Sequence, residues 1–390
     1  MQLFTDSEIA FSSKSIKELK QAFWLFKTLQ YPLIVNIGNK MLSFAIFVKF
    51  PINWMIKPTI FKHFCGGETI IDCDKTINLL GNNKIGSILD YSAEGNEKEA
   101  DFDFVMNEVL EVIEKSKSSP FIPFAVFKVT GLARLKLLEK INAKLELTES
   151  EKTEFIKVQQ RIDCICNAAY QADIPVLIDA EESWIQQPID DMSIQMMQKY
   201  NRNRAIVYNT LQMYRNDRID FLHQSIVKAK EQAYFIGFKL VRGAYMEKER
   251  ERALLNGYPS PIHINKEFTD HDYNKAVEIC FANADRVSIC AGSHNEESNA
   301  LLATLIEENK IKKDDNRFYF AQLLGMSDHI SYNLSHNGYN VAKYVPFGPV
   351  KSVMPYLIRR AQENTSIAGQ SLRELDLIRT EIKRRKSLIN

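Results

Sequence analysis

Across 390 residues there is no CxxC pair, and of six cysteines only Cys164 and Cys166 lie close together. That usage argues against a disulfide framework and a thiolate zinc site, and it fits a reduced compartment with all six as small core or surface residues. Neither sign of charge is in excess, since 50 lysines and arginines against 49 aspartates and glutamates leave a formal +1. A nucleic-acid partner, which needs a basic face, is therefore not expected. No GxGxxG follows an apolar run and no P-loop occurs, so the fingerprints of dinucleotide binding and of nucleotide hydrolysis are missing. No uncharged apolar run reaches the roughly 18 residues of a membrane span. The first residues lack a basic segment followed by an apolar stretch and a cleavage site, so a cytoplasmic chain is expected.

What is present is an ordinary globular composition, 45% hydrophobic, long enough for one large core or two modest ones. From residue 85 short β-rich runs alternate with longer helical patterns: 85–91, 121–129, 174–180, 204–211, 235–244, 286–292, 317–325 and 340–348. Near-continuous apolar strands between amphipathic helices imply parallel strands covered on both faces. Eight such units predict an α/β chain with a distorted (β/α)8, TIM-type barrel, the alternative being an open doubly wound sheet. An N-terminal helical arm over 1–82, including Ile16–Leu29, is expected to wrap on a barrel domain over 83–390 that ends in a charged helix near 371–388. The most lipid-like stretch, 31–64, is broken by Lys40, Lys49, Lys57 and Lys62. It reads as a pair of amphipathic helices packed on the main domain, or as a peripheral contact at the inner face of the membrane.

Barrels of this kind build their active sites at the C-terminal ends of the strands, and the polar residues collect there. Lys128, Asp179 with Glu181, Gln212, Lys239 with Arg242, Ser293 with His294, Leu323 and Tyr344 fall at or near the ends of runs two to eight. Each has a plain structural explanation: Lys128 as a rim lysine, Asp179 as a helix cap, His294 as a structural hydrogen-bonder. Together they imply groups that face a shared polar cavity or one another, because unpaired charges in strands this apolar would cost several kcal/mol. His294 has no second histidine or carboxylate cluster at ligand spacing, so no metal is expected.

The last run leads into YLIRRAQEN, Tyr356 to Asn364. At helical spacing Tyr356, Arg359 or Arg360, and Glu363 share a face, while the adjacent guanidinium forks fan to either side. Two such forks suit a carboxylate, although paired arginines also occur on plain solvated surfaces. Pro346, Gly348, Pro349 and Pro355 punctuate the approach and predict a tightly turned loop before the helix. Cations, amides, hydroxyls and aromatics in one place suit an organic cofactor with phosphate and a flat ring, plus a small carboxylate substrate.

With these motifs in order, the chain resembles the proline dehydrogenase family: YLIRRAQEN is close to that family's signature, and KLVRGAY (Lys239 to Tyr245), QLLGM, SHN and YVPFG follow its order. The resemblance covers at least Lys128 to Asn364. It implies FAD at the C-terminal ends of the strands and oxidation of L-proline to 1-pyrroline-5-carboxylate by hydride transfer to flavin N5. Arg359, Arg360 and Lys128 would hold the proline carboxylate, with Tyr344, Tyr356 and Leu323 walling the ring. Asp179, Gln212, Lys239, Arg242, Gly243, Ala244, Ser293, His294 and Glu363 would line the flavin or support the pocket. The order of Lys239 and Arg242 is of the mitochondrial type, which leaves open which of them meets flavin N5. Glu94 in the SAEG stretch stands where the family places a carboxylate gating a substrate arginine.

The resemblance further implies a monofunctional enzyme that passes electrons to a membrane quinone and its product to a separate pyrroline-5-carboxylate dehydrogenase. Residues 31–64 would be the membrane contact. Oxidation of 4-hydroxyproline on the same site, Schiff-base chemistry at Lys128 or Lys239, and a non-catalytic proline-sensing barrel are the rival readings.

Overall fold

A computed structural model of the chain describes residues 3–29, 31, 56–91, 97–366 and 368–388, with side chains throughout these except at 29 and 361–371. Eight strands close into an all-parallel barrel in sequence order: β1 (Ile85–Tyr91), β2 (Phe124–Lys128), β3 (Val176–Asp179), β4 (Val207–Gln212), β5 (Ile236–Val241), β6 (Val287–Gly292), β7 (Phe318–Leu323) and β8 (Val341–Phe347). Closure is made by β1 on β8, in register from Ile85 opposite Val341 to Tyr91 opposite Phe347. The open-sheet alternative is thereby overturned. Strands covered by helices outside and filled by side chains inside need apolar residues on both faces, which is why they read as near-continuous runs.

Two cores result. Between sheet and helices lies the main apolar layer, and inside the barrel a smaller group contains Ile88, Phe124, Val126, Leu177, Cys290, Ala342 and Tyr344. Strand periodicity then decides the site: the alternation that points Ile88, Val126, Leu177 and Ala342 inward also points Asp90, Lys128, Asp179 and Tyr344 inward. Asp90, Lys128 and Asp179 are the last inward positions of β1, β2 and β3, and Tyr344 stands one inward step before the last of β8, Pro346.

The arm packs chiefly on the end of the chain. Ala10, Phe11, Leu19, Ala22 and Phe26, from helices Ser7–Ala10 and Ile16–Leu29 and their junction, form one apolar group with Leu375, Leu377 and Ile378 of the C-terminal helix Ala368–Ser387. It reaches the barrel layer through Lys14, whose ammonium lies 2.7 Å from Asp328, and Ser13, 2.6 Å from the Tyr332 hydroxyl. Of the lipid-like stretch, residues 32–55 lie outside the described residues. Ile56, Phe61 and Phe64 are buried against Val350, Val353, Met354 and Leu357, so their faces are covered by protein. Among the described residues no helix is long and apolar enough to cross a membrane.

One local expectation is corrected. The arginine helix runs Val350–Ser366, so it starts before Pro355 and contains it. Pro349 caps its start by accepting from Ser352 and Val353 N–H, and Pro355 is exposed in the second turn. The carbonyl it leaves without an N–H, that of exposed Lys351, can turn to water.

Candidate active site

The inward-pointing strand ends meet. Asp179 accepts from Lys128 Nζ at 2.9 Å through one oxygen and from Lys239 Nζ at 2.5 Å through the other. The Tyr344 hydroxyl takes a hydrogen bond from Lys239 at 2.6 Å and lies 3.3 Å from Asp179, with the Lys239 ammonium 4.5 Å from the centre of its ring. Lys128 and Asp179 are also register partners across β2 and β3, so the ion pair continues the ladder. Lys128 further reaches Asp90 at 3.3 Å. Two ammoniums and two carboxylates thus balance in a site where an isolated charge would be costly.

The two carboxylates differ in their electrostatics. Burial alone would push both up. At Asp179 the adjacent Lys128 and Lys239 overcome it and hold the carboxyl at about 2. At Asp90 burial prevails over the more distant Lys128 and the weaker pull of Lys239, so the carboxyl stays above the ordinary range, and the nearby Asp179 charge adds to the rise. Burial and the same Asp179 charge raise the Tyr344 phenol well above its usual value, so it remains protonated.

A second group surrounds the turn after β5. Arg242, one residue past the strand, bonds Asp270 at 2.6 Å, Ser293 at 2.8 Å and Ser298 at 2.9 Å, and stacks on Tyr273 at 4.5 Å. Gly243 follows at φ +143°, and a Cβ there would stand 2.5 Å from the Tyr214 ring. Only glycine takes that conformation without strain. Gln212, the last residue of β4, donates to the Glu181 carbonyl at 2.7 Å and accepts from Ala244 N–H at 3.1 Å. Beyond β6, His294 meets the Ser327 hydroxyl at 2.9 Å. Burial, then the cations Lys343 and Arg360, push its imidazole down to about 3, so it is neutral at physiological pH.

The arginine helix packs at the C-terminal end of β7. Leu323 joins helix to barrel: it packs with Tyr344 in the barrel interior and with Tyr356 and Leu357 of the helix. Tyr356 and Arg360 are buried, with the Arg360 guanidinium 5.3 Å from the Tyr356 ring centre, and Arg359 is half-buried. The side chain of Glu363 and the whole of Glu94 lie outside the described residues.

The structure therefore brings Lys128, Asp179, Lys239 and Tyr344 into one cluster and Arg242, Ser293 and their partners into another, with Gln212 and Ala244 bonded to each other. Asp90 is the residue that sequence reading passed over. Its signal was present, a lone carboxylate in the apolar strand IGSILDY, and it is the pattern that had singled out Lys128. Asp270 and Ser298, which fix Arg242, carry no such signal because their helices meet it only in the fold.

A family model described as proline dehydrogenase matches residues 73–373. Proline dehydrogenase 1, mitochondrial, of Dictyostelium discoideum is 32% identical over 98% of this chain and 75% of its own length. Hydroxyproline dehydrogenase of Xenopus laevis is 30% identical over 98% of this chain and 90% of its own. Among solved structures, proline utilization A from Bdellovibrio bacteriovorus, inactivated by N-propargylglycine, superposes with a TM-score of 0.73 at 18% identity, a likeness of fold. That alignment takes in 92% of this chain but 38% of the solved one. A match this long, over strands whose ends carry the charged cluster, makes the chain a member of the proline dehydrogenase family.

Proposed function

We propose that this protein oxidises L-proline to 1-pyrroline-5-carboxylate with FAD as cofactor and passes the electrons to a quinone. The observation that carries the reading is the Lys128–Asp179–Lys239–Tyr344 cluster at the barrel mouth, joined through Leu323 to a helix bearing adjacent arginines.

The residues fit the cofactor by the chemistry of their donors. Arg242, the Ser293 hydroxyl, neutral His294, the Gln212 amide and the exposed backbone at Gly243 and Ala244 offer cations and hydrogen-bonding groups at the ends of β4 to β6. These, with Lys239 and Glu363, would hold FAD, which when bound supplies a hydride acceptor at N5. Arg359 and Arg360, with Lys128, grip the substrate carboxylate in bidentate, charge-assisted fashion and fix the ring without touching the reacting bond. Leu323, Tyr344 and Tyr356 wall the pyrrolidine, whose amine must be neutral when hydride leaves the adjacent carbon. Asp179 keeps Lys239 and Tyr344 in place and balances the cations, so the incoming carboxylate is met by the arginines.

Proline is favoured over 4-hydroxyproline by one detail. The Tyr344 hydroxyl is engaged by Lys239 and Asp179, so that wall offers the substrate chiefly its apolar face. Such a wall discriminates by about 10²-fold at most, so the hydroxylated ring should be a slower substrate. Schiff-base chemistry is disfavoured because Lys128 and Lys239 are each ion-paired, the reverse of the neutral amine it needs. The product, a cyclic imine in equilibrium with an aldehyde, calls for a separate dehydrogenase as its consumer.

Steady-state turnover with L-proline and a soluble quinone, with the product trapped by an aromatic amine, tests the proposal. Saturable, proline-dependent product formation supports it. No turnover by FAD-loaded protein with any acceptor would overturn it.

A further inference from the structure

The strand ladder between β2 and β3 ends at the pair Lys128 and Asp179. Two residues further along each chain stand Thr130 and Glu181, and here a side chain carries on where the backbone ladder stops. The Glu181 carboxyl accepts the Thr130 N–H at 2.9 Å and the Thr130 hydroxyl through its second oxygen. Glu181 is itself held on both sides: its N–H donates to Gln186 at 2.8 Å, and its carbonyl accepts from Gln212, whose oxygen in turn receives Ala244 N–H. A belt of side-chain rungs thus runs round half the barrel mouth, from the end of β2 to the turn after β5.

The turn that Glu181 grips is the single 3-10 turn Val129–Gly131, directly after Lys128. Both Val129 and Gly131 are buried, so the turn has little room to adopt another path. Lys128 itself must thread its ammonium between Asp179 and Asp90, and small shifts of its backbone would trade one partner for the other. The Glu181 carboxyl bonds Thr130, which is assigned no part in the reaction, and only the Glu181 backbone carbonyl meets an assigned group, Gln212; at 3% exposure the residue is closed to solvent.

We propose that Glu181 is a positioning residue for the substrate-carboxylate lysine, anchoring the Thr130 turn so that Lys128 meets proline in one fixed place. The inference rests on the proposed function. Hydrogen bonding rather than charge does the work, since an amide at this position can accept the Thr130 N–H and donate to its hydroxyl.

The test compares Glu181→Ala, Glu181→Gln and Thr130→Val as FAD-loaded proteins. Two quantities are measured: KM and kcat for L-proline, and the calorimetric Kd of tetrahydrofuran-2-carboxylate, which has the carboxylate and ring but no amine to oxidise. Expected are a roughly tenfold rise in both KM and Kd for Glu181→Ala, kcat within about threefold of wild type, recovery to within about twofold for Glu181→Gln, and a rise for Thr130→Val without further loss in the double variant. A purely structural role would lower the yield of folded protein and leave Kd of the folded fraction unchanged. Wild-type Kd and KM in Glu181→Ala, or in Thr130→Val should the alanine variant not fold, would overturn the proposal, as would a glutamine variant as impaired as the alanine one. Wild-type protein that neither binds the analogue nor turns over proline would instead overturn the function beneath it.

Discussion

Replacing Asp179 by asparagine keeps the shape of the side chain and removes the charge shared by two buried lysines. Lys128 retains Asp90 at 3.3 Å, whereas Lys239 keeps only the Tyr344 hydroxyl at 2.6 Å among its described partners. The size of the effect follows from the wild-type carboxyl. Held at about 2 against an ordinary 3.8, it prefers its charged form by about 2 kcal/mol after burial has been opposed. Breaking a buried pair by removing one partner costs about 3–5 kcal/mol because the other charge is left behind. We expect Asp179→Asn to lose about 3 kcal/mol of stability in urea, and Asp179→Asn combined with Lys239→Met to recover about 2 kcal/mol of that in a double-mutant cycle. The sign of the pH dependence is set: a depressed carboxyl stabilises fully above its unfolded value near 4, and that stabilisation disappears as the pH falls toward 2. The variant should therefore lack this part of the wild-type acid transition. Coupling below about 0.5 kcal/mol, with an unchanged acid limb, would refute the reasoning.

Gly243→Ala forces a Cβ to within 2.5 Å of the Tyr214 ring at φ +143°, so it should cost about 1–3 kcal/mol and weaken FAD retention at least tenfold, read as flavin fluorescence released on dilution. The arm and C-terminal helix should come loose together. Although burial favours a neutral Asp328, Lys14 and then Lys343 hold it below the usual carboxylate range, so this contact stabilises above about pH 4 and fails as the acid form is reached. Asp328→Asn should accelerate proteolytic cleavage within residues 3–29 at pH 7 about tenfold and flatten its rise in acid.

Much of this was legible in the chain because the relevant physics is local. Eight apolar runs announce eight covered strands, and a charge at an inward position near the end of a strand announces a site, as Lys128, Asp179 and Lys239 do. Asp90 obeys the same rule and was readable in principle. What stayed hidden depends on partners far apart in sequence: Asp270 opposite Arg242, Lys14 opposite Asp328, and Thr130 beneath Glu181, each pairing created only when the barrel closes. Pro355 misled for a different reason. Proline signals a break on average, yet its missing N–H matters little where the orphaned carbonyl faces water.

The most direct test of the central claim is the anaerobic visible spectrum of the FAD-loaded protein, followed while L-proline, pyrrolidine and 4-hydroxyproline are added in separate runs. The account predicts rapid, saturable bleaching by proline, slower bleaching by 4-hydroxyproline, and almost none by pyrrolidine, which lacks the carboxylate that Arg359, Arg360 and Lys128 grip. A flavin spectrum that proline leaves unchanged, or that pyrrolidine bleaches as fast, would contradict it.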